Sequence, residues 1–148
     1  MSQTEFRFLA GQCRVEQAVF LSDDAVVLLE GSPSTGYTEC GRTTIQSLDL
    51  AAVDGWIGCE ETEQIEKNDW VVCRCLGDWE AEGLLALLSK STKELKWLLH
   101  LDSSEEFVTA EILDDCIVAQ SGGYPLGWRW WIPIQAPWLL TVEPIKIT

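Results

Sequence analysis

The sequence predicts a mainly β fold made of antiparallel sheets, arranged as a sandwich or an open barrel, with one short helix. An α+β arrangement is the alternative. Three observations carry this reading. Short apolar runs are separated by Gly, Asp and Ser turns. Late in the chain, apolar and polar residues alternate with a period of two. No helical stripe of comparable length competes with them.

Taken in order, strands are predicted at Glu5–Ala10, Val15–Leu21 and Ala25–Glu30. Ser47 is placed as the cap of the short helix, which runs through Leu48-Asp-Leu-Ala-Ala-Val-Asp-Gly-Trp56 with Asp49 favouring its N-terminus. Further strands follow at Trp70–Leu76, Gly83–Ser89, Leu95–Leu101, Glu106–Leu113, Cys116–Ser121, Trp128–Ile134 and Trp138–Val142.

The stretch from Gly83 to Leu101 is the one place where helix and hairpin compete. Leu84, Leu88, Leu95 and Leu98 fit a rough helical stripe, but Ser89-Lys-Ser-Thr-Lys93 breaks it and reads as a hairpin loop. Two strands are therefore expected. In the second, Leu95, Trp97, Leu99 and Leu101 share one face, opposite Lys96, His100 and Asp102. The next run sets Val108, Ala110 and Ile112 against Thr109 and Glu111, as in a half-buried hairpin. Asp23-Asp24 and Asp114-Asp115 mark two similar strand–turn–strand segments, as Asp does through side-chain-to-backbone bonds.

The chain has 148 residues and a 47% hydrophobic composition, which suit a single domain over 1–148 with its own core. Twenty-four acids against ten bases give a net charge of −14. Long-range repulsion disfavours DNA, RNA and anionic membranes, and a basic protein is the natural complement. The opening Met1-Ser-Gln-Thr-Glu-Phe-Arg7 lacks the basic-then-apolar layout of a secretory leader. No apolar run approaches a membrane span. A cytoplasmic location is expected, and with it reduced thiols at Cys13, Cys40, Cys59, Cys73, Cys75 and Cys116.

No catalytic or metal motif is found, and no cofactor is expected. Cys73 and Cys75 share a strand face, but the only histidine is His100 and no second paired-cysteine motif completes a tetrahedral set. His100 sits between Leu99 and Leu101 without a G-x-S-x-G elbow. The acidic pairs Asp23-Asp24, Glu60-Glu61, Glu105-Glu106 and Asp114-Asp115 fit no calcium loop. Phosphate-cradling glycine loops are absent as well.

The stretch from Asp49 to Glu82 is more informative. Its acids, Glu80 among them, face only Lys67 and Arg74, with Trp56, Trp70 and Trp79 interleaved. Carboxylates around aromatic anchors suit a surface that steers and holds a basic partner. The candidate partner-binding residues are Glu60, Glu61, Glu63, Glu66, Asp69, Trp70 and Asp78. Inward-turned tryptophans beneath a solvated loop face are the alternative. In the tail, Trp128 and Trp130 face one way and Arg129 and Trp131 the other. One pair is expected in the core. Trp131 over Arg129 is expected to form a cation–π contact or an interface, and Trp128, Trp130, Trp131 and Trp138 are the candidate sugar-stacking platforms of a carbohydrate-binding alternative.

Leu84-Leu-Ala-Leu-Leu-Ser89 and Lys96-Trp-Leu-Leu-His-Leu-Asp-Ser-Ser-Glu-Glu-Phe-Val-Thr-Ala-Glu-Ile-Leu-Asp-Asp115 resemble the paired strands of bacterial toxin-immunity proteins, including those of contact-dependent growth inhibition systems. The resemblance carries no functional residue over. It implies a small, non-enzymatic cytoplasmic inhibitor that binds and blocks a toxin. Together with the charge, it makes an immunity-type inhibitor of a basic toxin such as a nuclease the leading functional expectation. A small-ligand or carbohydrate-binding β domain is the alternative.

Overall fold

Two antiparallel sheets stack against each other in the computed structural model, which describes residues 1–78 and 82–147. The chain begins with helix α1 (Gln3–Leu9), then strands β1 (Gln12–Arg14), β2 (Ala18–Leu21), β3 (Ala25–Ser32) and β4 (Gly36–Thr44). Helix α2 (Ile45–Ala51) leads into β5 (Trp56–Lys67), β6 (Trp70–Gly77), β7 (Gly83–Ser89) and β8 (Leu95–Leu101). The last part holds β9 (Phe107–Leu113), β10 (Cys116–Gly123), β11 (Leu126–Pro133), a 3-10 turn (Pro137–Leu139) and β12 (Thr141–Lys146).

The larger sheet has the order β1-β5-β6-β7-β8-β2-β3-β4, and the smaller β12-β11-β10-β9. The larger one curls into a half-barrel. Chain connectivity requires the curl. β1 is an outer strand paired only with β5, yet β2 pairs with β8 and β3 far along the sheet. Only Val15–Gln17 join β1 to β2, a reach of roughly 10–14 Å at full extension.

Two cores result. One lies between the sheets, where Val19, Val72, Leu85 and Leu99 meet Ile112, Ile117, Trp130 and Ile132. Trp130 is fully buried there, with Phe107 edge-on at 5.4 Å and its indole N–H donating to Ser121 Oγ at 2.8 Å. The other fills the inside of the curl with Phe20, Val26, Ile45, Cys73, Leu84 and Leu98. Strands β7 and β8 are therefore buried on both faces.

The mainly β expectation and both strands of the Gly83–Leu101 hairpin are present as read. Several elements differ. The predicted strand Glu5–Ala10 is α1. Its first amides are satisfied by Ser2 Oγ, which accepts from Glu5, and by the Asp24 carboxylate, which accepts from Gln3 and Thr4 at 2.9 and 2.7 Å. That cap comes from a distant turn, so the Phe6–Leu9 run alone does not reveal it. The described residues thus hold two short α-helices, not one. The second starts after a Thr44 cap, not at Ser47, and ends before Trp56, which opens β5.

Val15–Leu21 is likewise not one strand, because the chain changes sheet partner across Val15–Gln17. Trp138 lies in the 3-10 turn, ahead of β12. Leu95 does not share the face of Trp97, Leu99 and Leu101. A bulge between Leu87 and Leu88 shifts the register and turns Leu95 into the inner core beside Leu98. Strands β1, β4 and β5 had no predicted counterpart.

Candidate functional site

The acidic stretch folds into β5 and its hairpin with β6. β1 pairs with β5 only over Trp56–Gly58, and the Cys59 amide adds one bond to Gly11 O at 2.8 Å. From Glu60 to Lys67 the strand pairs with β6 alone, and among the described residues no strand flanks its outer side. Its outward backbone groups are thus open to a further strand. Glu60, Glu61, Glu63 and Glu66 are all exposed along this edge.

Register sets which way each points. β6 sends Val71, Cys73 and Cys75 into the curl, and Val72 towards the smaller sheet. Cross-strand partners share a face, so Glu61 (opposite Cys75) and Glu66 (opposite Val71) lie on the inner side. Glu60 (opposite Leu76) and Glu63 (opposite Arg74) lie on the other. A bulge between Glu61 and Glu63 separates the two halves, which bends and twists an edge locally.

The remaining expected residues are dispersed. Asp69 is exposed in the β5–β6 turn. Trp70 is half-buried and packs against the inter-sheet core. Asp78 stands at the opposite end of the hairpin, where its carboxylate accepts from the Gly58 amide at 3.1 Å. Two of the edge acids have cationic neighbours. Arg74 Nε donates to Glu63 at 2.9 Å, while its Nη1 donates to Phe107 O at 2.8 Å and so ties the sheets together. Lys93 is 3.5 Å from Glu66. Glu60 and Glu61 instead border a cavity of about 300 Å³ with Phe8, Leu9 and Cys59. The edge is therefore centred on Glu60–Glu66, with Trp70 behind it rather than on it. Trp79 and Glu80, the other members of the acidic stretch singled out by sequence, lie outside the described residues.

His100 is fully buried inside the curl. Its Nδ1 lies 3.0 Å from Arg14 O. A carbonyl only accepts, so Nδ1 carries the proton and Nε2 is left to face Glu82 Oε2 at 3.5 Å. Neither of those two atoms has a hydrogen-bond partner among the described residues. Arg14 is also buried. It donates to both oxygens of Glu16, to Asp49 and to Ala52 O, all within 3.0 Å, and lies against the Trp56 ring. Gly55 has no side chain because any Cβ there would collide with this guanidinium. The sequence pattern placed His100 on the solvent side of β8. It is inside because the curl supplies a second core.

All six cysteines are free. Burial pushes the Cys73 thiol up to about 12 and raises Cys75 as well. The two share the inner face as expected, but among the described residues no cluster of three His, Cys, Asp or Glu is placed to hold a metal ion.

The tail resolves into one buried and one open row. Trp128 and Trp130 face the inter-sheet core, whereas Trp131 is 38% exposed on the outer side. Arg129 lies 3.6 Å from Glu143. Trp138 is stacked under Arg42 at 5.1 Å.

Among known protein families, curated proteins and solved structures, none matches this chain. No helix of the described residues is long and apolar enough to cross a membrane.

Proposed function

We propose that this chain is a non-enzymatic protein-binding module of the cytoplasm, an immunity-type inhibitor that occludes a basic toxin such as a nuclease. The observation that supports this most is the β5 edge, a strand unpaired on its outer side from Glu60 to Lys67 among the described residues, with carboxylates on both faces. An extended basic segment adds there as a further strand. Backbone bonds supply affinity, and Lys or Arg side chains find acids above and below the sheet. The charge of −14 steers such a partner in and keeps two copies of the acidic edge apart.

The test begins with capture of a basic partner at about 0.1 M salt and its release at about 0.5 M, where screening shortens to a few ångströms. With the purified pair, hydrogen exchange is expected to show new amide protection in Glu60–Lys67. Glu60→Lys combined with Glu61→Lys is expected to weaken binding at least tenfold without lowering the melting temperature, since both side chains are exposed. Protection that appears elsewhere while β5 stays open would refute the edge as the binding surface.

A further inference from the structure

A second surface lies on the outer face of the smaller sheet and owes nothing to the acidic edge. Register builds it in two rows. One row runs Glu111, Val118, Trp131 across β9, β10 and β11. The next runs Thr109, Gln120, Arg129 and continues to Glu143 on β12. All of these side chains except Glu143, which stands at the margin, line an open groove of about 440 Å³, within the size range of small-ligand sites. The central strand β10 gives the floor, with Val118 8% exposed. Residues of β9 and β11 lie on either side, two strand spacings or roughly 9–10 Å apart.

The chemistry of this groove is mixed. Trp131 exposes aromatic surface in the middle of a sheet face. Thr109, Glu111 and Gln120 bring a hydroxyl, a carboxylate and an amide to its lining. Among the described residues the charged side chains lining it are Glu111 and Arg129, and Arg129 lies 3.6 Å from Glu143 at the margin. The cation of the lining is thus already engaged by a carboxylate, and the overall charge of −14 opposes anions further. A pyranose has the matching character. Its C–H face is apolar and stacks on indole, and its rim of hydroxyls meets planar acceptors and donors.

We propose that this groove is a binding site for a neutral oligosaccharide, with Trp131 as the stacking platform and Thr109, Glu111 and Gln120 as the hydroxyl partners. The site is independent of the β5 edge. Its ligand is uncharged, so its affinity does not depend on salt, in contrast to the edge.

The experiment titrates the full chain with neutral tri- and tetrasaccharides of glucose, xylose, mannose and N-acetylglucosamine at millimolar concentration, read by calorimetry and tryptophan fluorescence. At least one sugar is expected to bind, equally at about 0.1 and 0.5 M salt. Trp131→Ala is expected to lower that affinity about tenfold or more, Trp131→Phe to restore part of it, and Gln120→Ala to weaken it while the melting temperature holds. A panel in which no sugar binds overturns the proposal. So does binding that survives Trp131→Ala, and so does binding lost at the higher salt.

Discussion

The two sheets bury their strands differently, and the difference explains what each strand can carry. In the smaller sheet one face meets the core and the other meets solvent. Along β11, Trp130 and Ile132 are fully buried while Trp131 between them is exposed. In the larger sheet β7 and β8 have a core on each side, so Leu99 and Leu101 pack between the sheets while Leu98 and His100 fill the curl. A one-sided strand offers its polar residues to a ligand. A two-sided strand must seat them inside, where His100 bonds to Arg14 O through Nδ1 while its Nε2 faces Glu82 at 3.5 Å without a hydrogen bond among the described residues.

Neighbouring tryptophans give the sharpest way to break this comparison, with the largest expected effect. Trp130→Ala removes a fully buried indole and its 2.8 Å bond to Ser121, and is expected to cost about 3–5 kcal/mol. Trp131→Ala, one residue along on the open face, is expected to cost less than about 1 kcal/mol. Denaturant unfolding of the two variants checks the pair. Similar losses would mean that the outer face is covered after all.

The same contrast sets how much of the fold is legible in the sequence. β7 and β8 were read with their observed limits, because an apolar run closed by a Ser-Lys-Ser turn survives burial on either face. The facing of Ala110 and Ile112 on β9 and of Trp128 to Trp131 on β11 was legible too, since one-sided burial writes itself as alternation, but a bulge opposite Gln120 and Ser121 leaves Val108 44% exposed and gives its expected place in the core to Phe107. Strands β4 and β5 were not, because most of their residues are exposed on both faces and leave no hydrophobic period to read. The candidate edge acids were thus found by charge alone, and the strand that arrays them by structure. The solvent-side reading of His100 failed for the opposite reason. Alternation says which residues share a face, but not whether a second core waits on the other side. Trp131 was marked by its pairing with Arg129, yet only register brings Glu111 and Gln120 to it from other strands.

Next in size is the polar cluster of the two-sided sheet. Arg14 is closed in by Glu16, Asp49, Ala52 and Trp56. Arg14→Met keeps the length of the stem but strands the acids that face it, with an expected cost of about 3 kcal/mol. Arg42→Met on the surface, where solvent screens the ion pair with Glu39 and the methionine keeps an apolar stem over Trp138, is expected to cost far less. Thermal melting of both variants reads the difference. Equal shifts would show that burial of Arg14 adds nothing.

The last effect vanishes at neutral pH and grows only in alkali. The inner face of the larger sheet holds thiols that burial keeps protonated, with Cys73 raised from 9.0 to about 12 and Cys75 raised in the same direction. An acid whose folded value lies above its unfolded one contributes stability fully below the unfolded value. That contribution is lost as pH climbs towards the folded value, because only the unfolded chain releases the proton. Between pH 9 and 12 each such thiol is expected to tilt the stability by up to about 1.4 kcal/mol per pH unit. Cys73→Ala removes one of these contributions and is expected to flatten the alkaline limb, whatever it does to stability at pH 7. Cys116, on the one-sided sheet and only half-buried, is raised by burial as well, so its replacement by Ala gives the matching measurement on the other face. A steeper flattening from Cys73 than from Cys116 is expected if two-sided burial holds the thiols out of water. The reverse order would show that water reaches the thiols inside the curl more freely than the outer face of the smaller sheet.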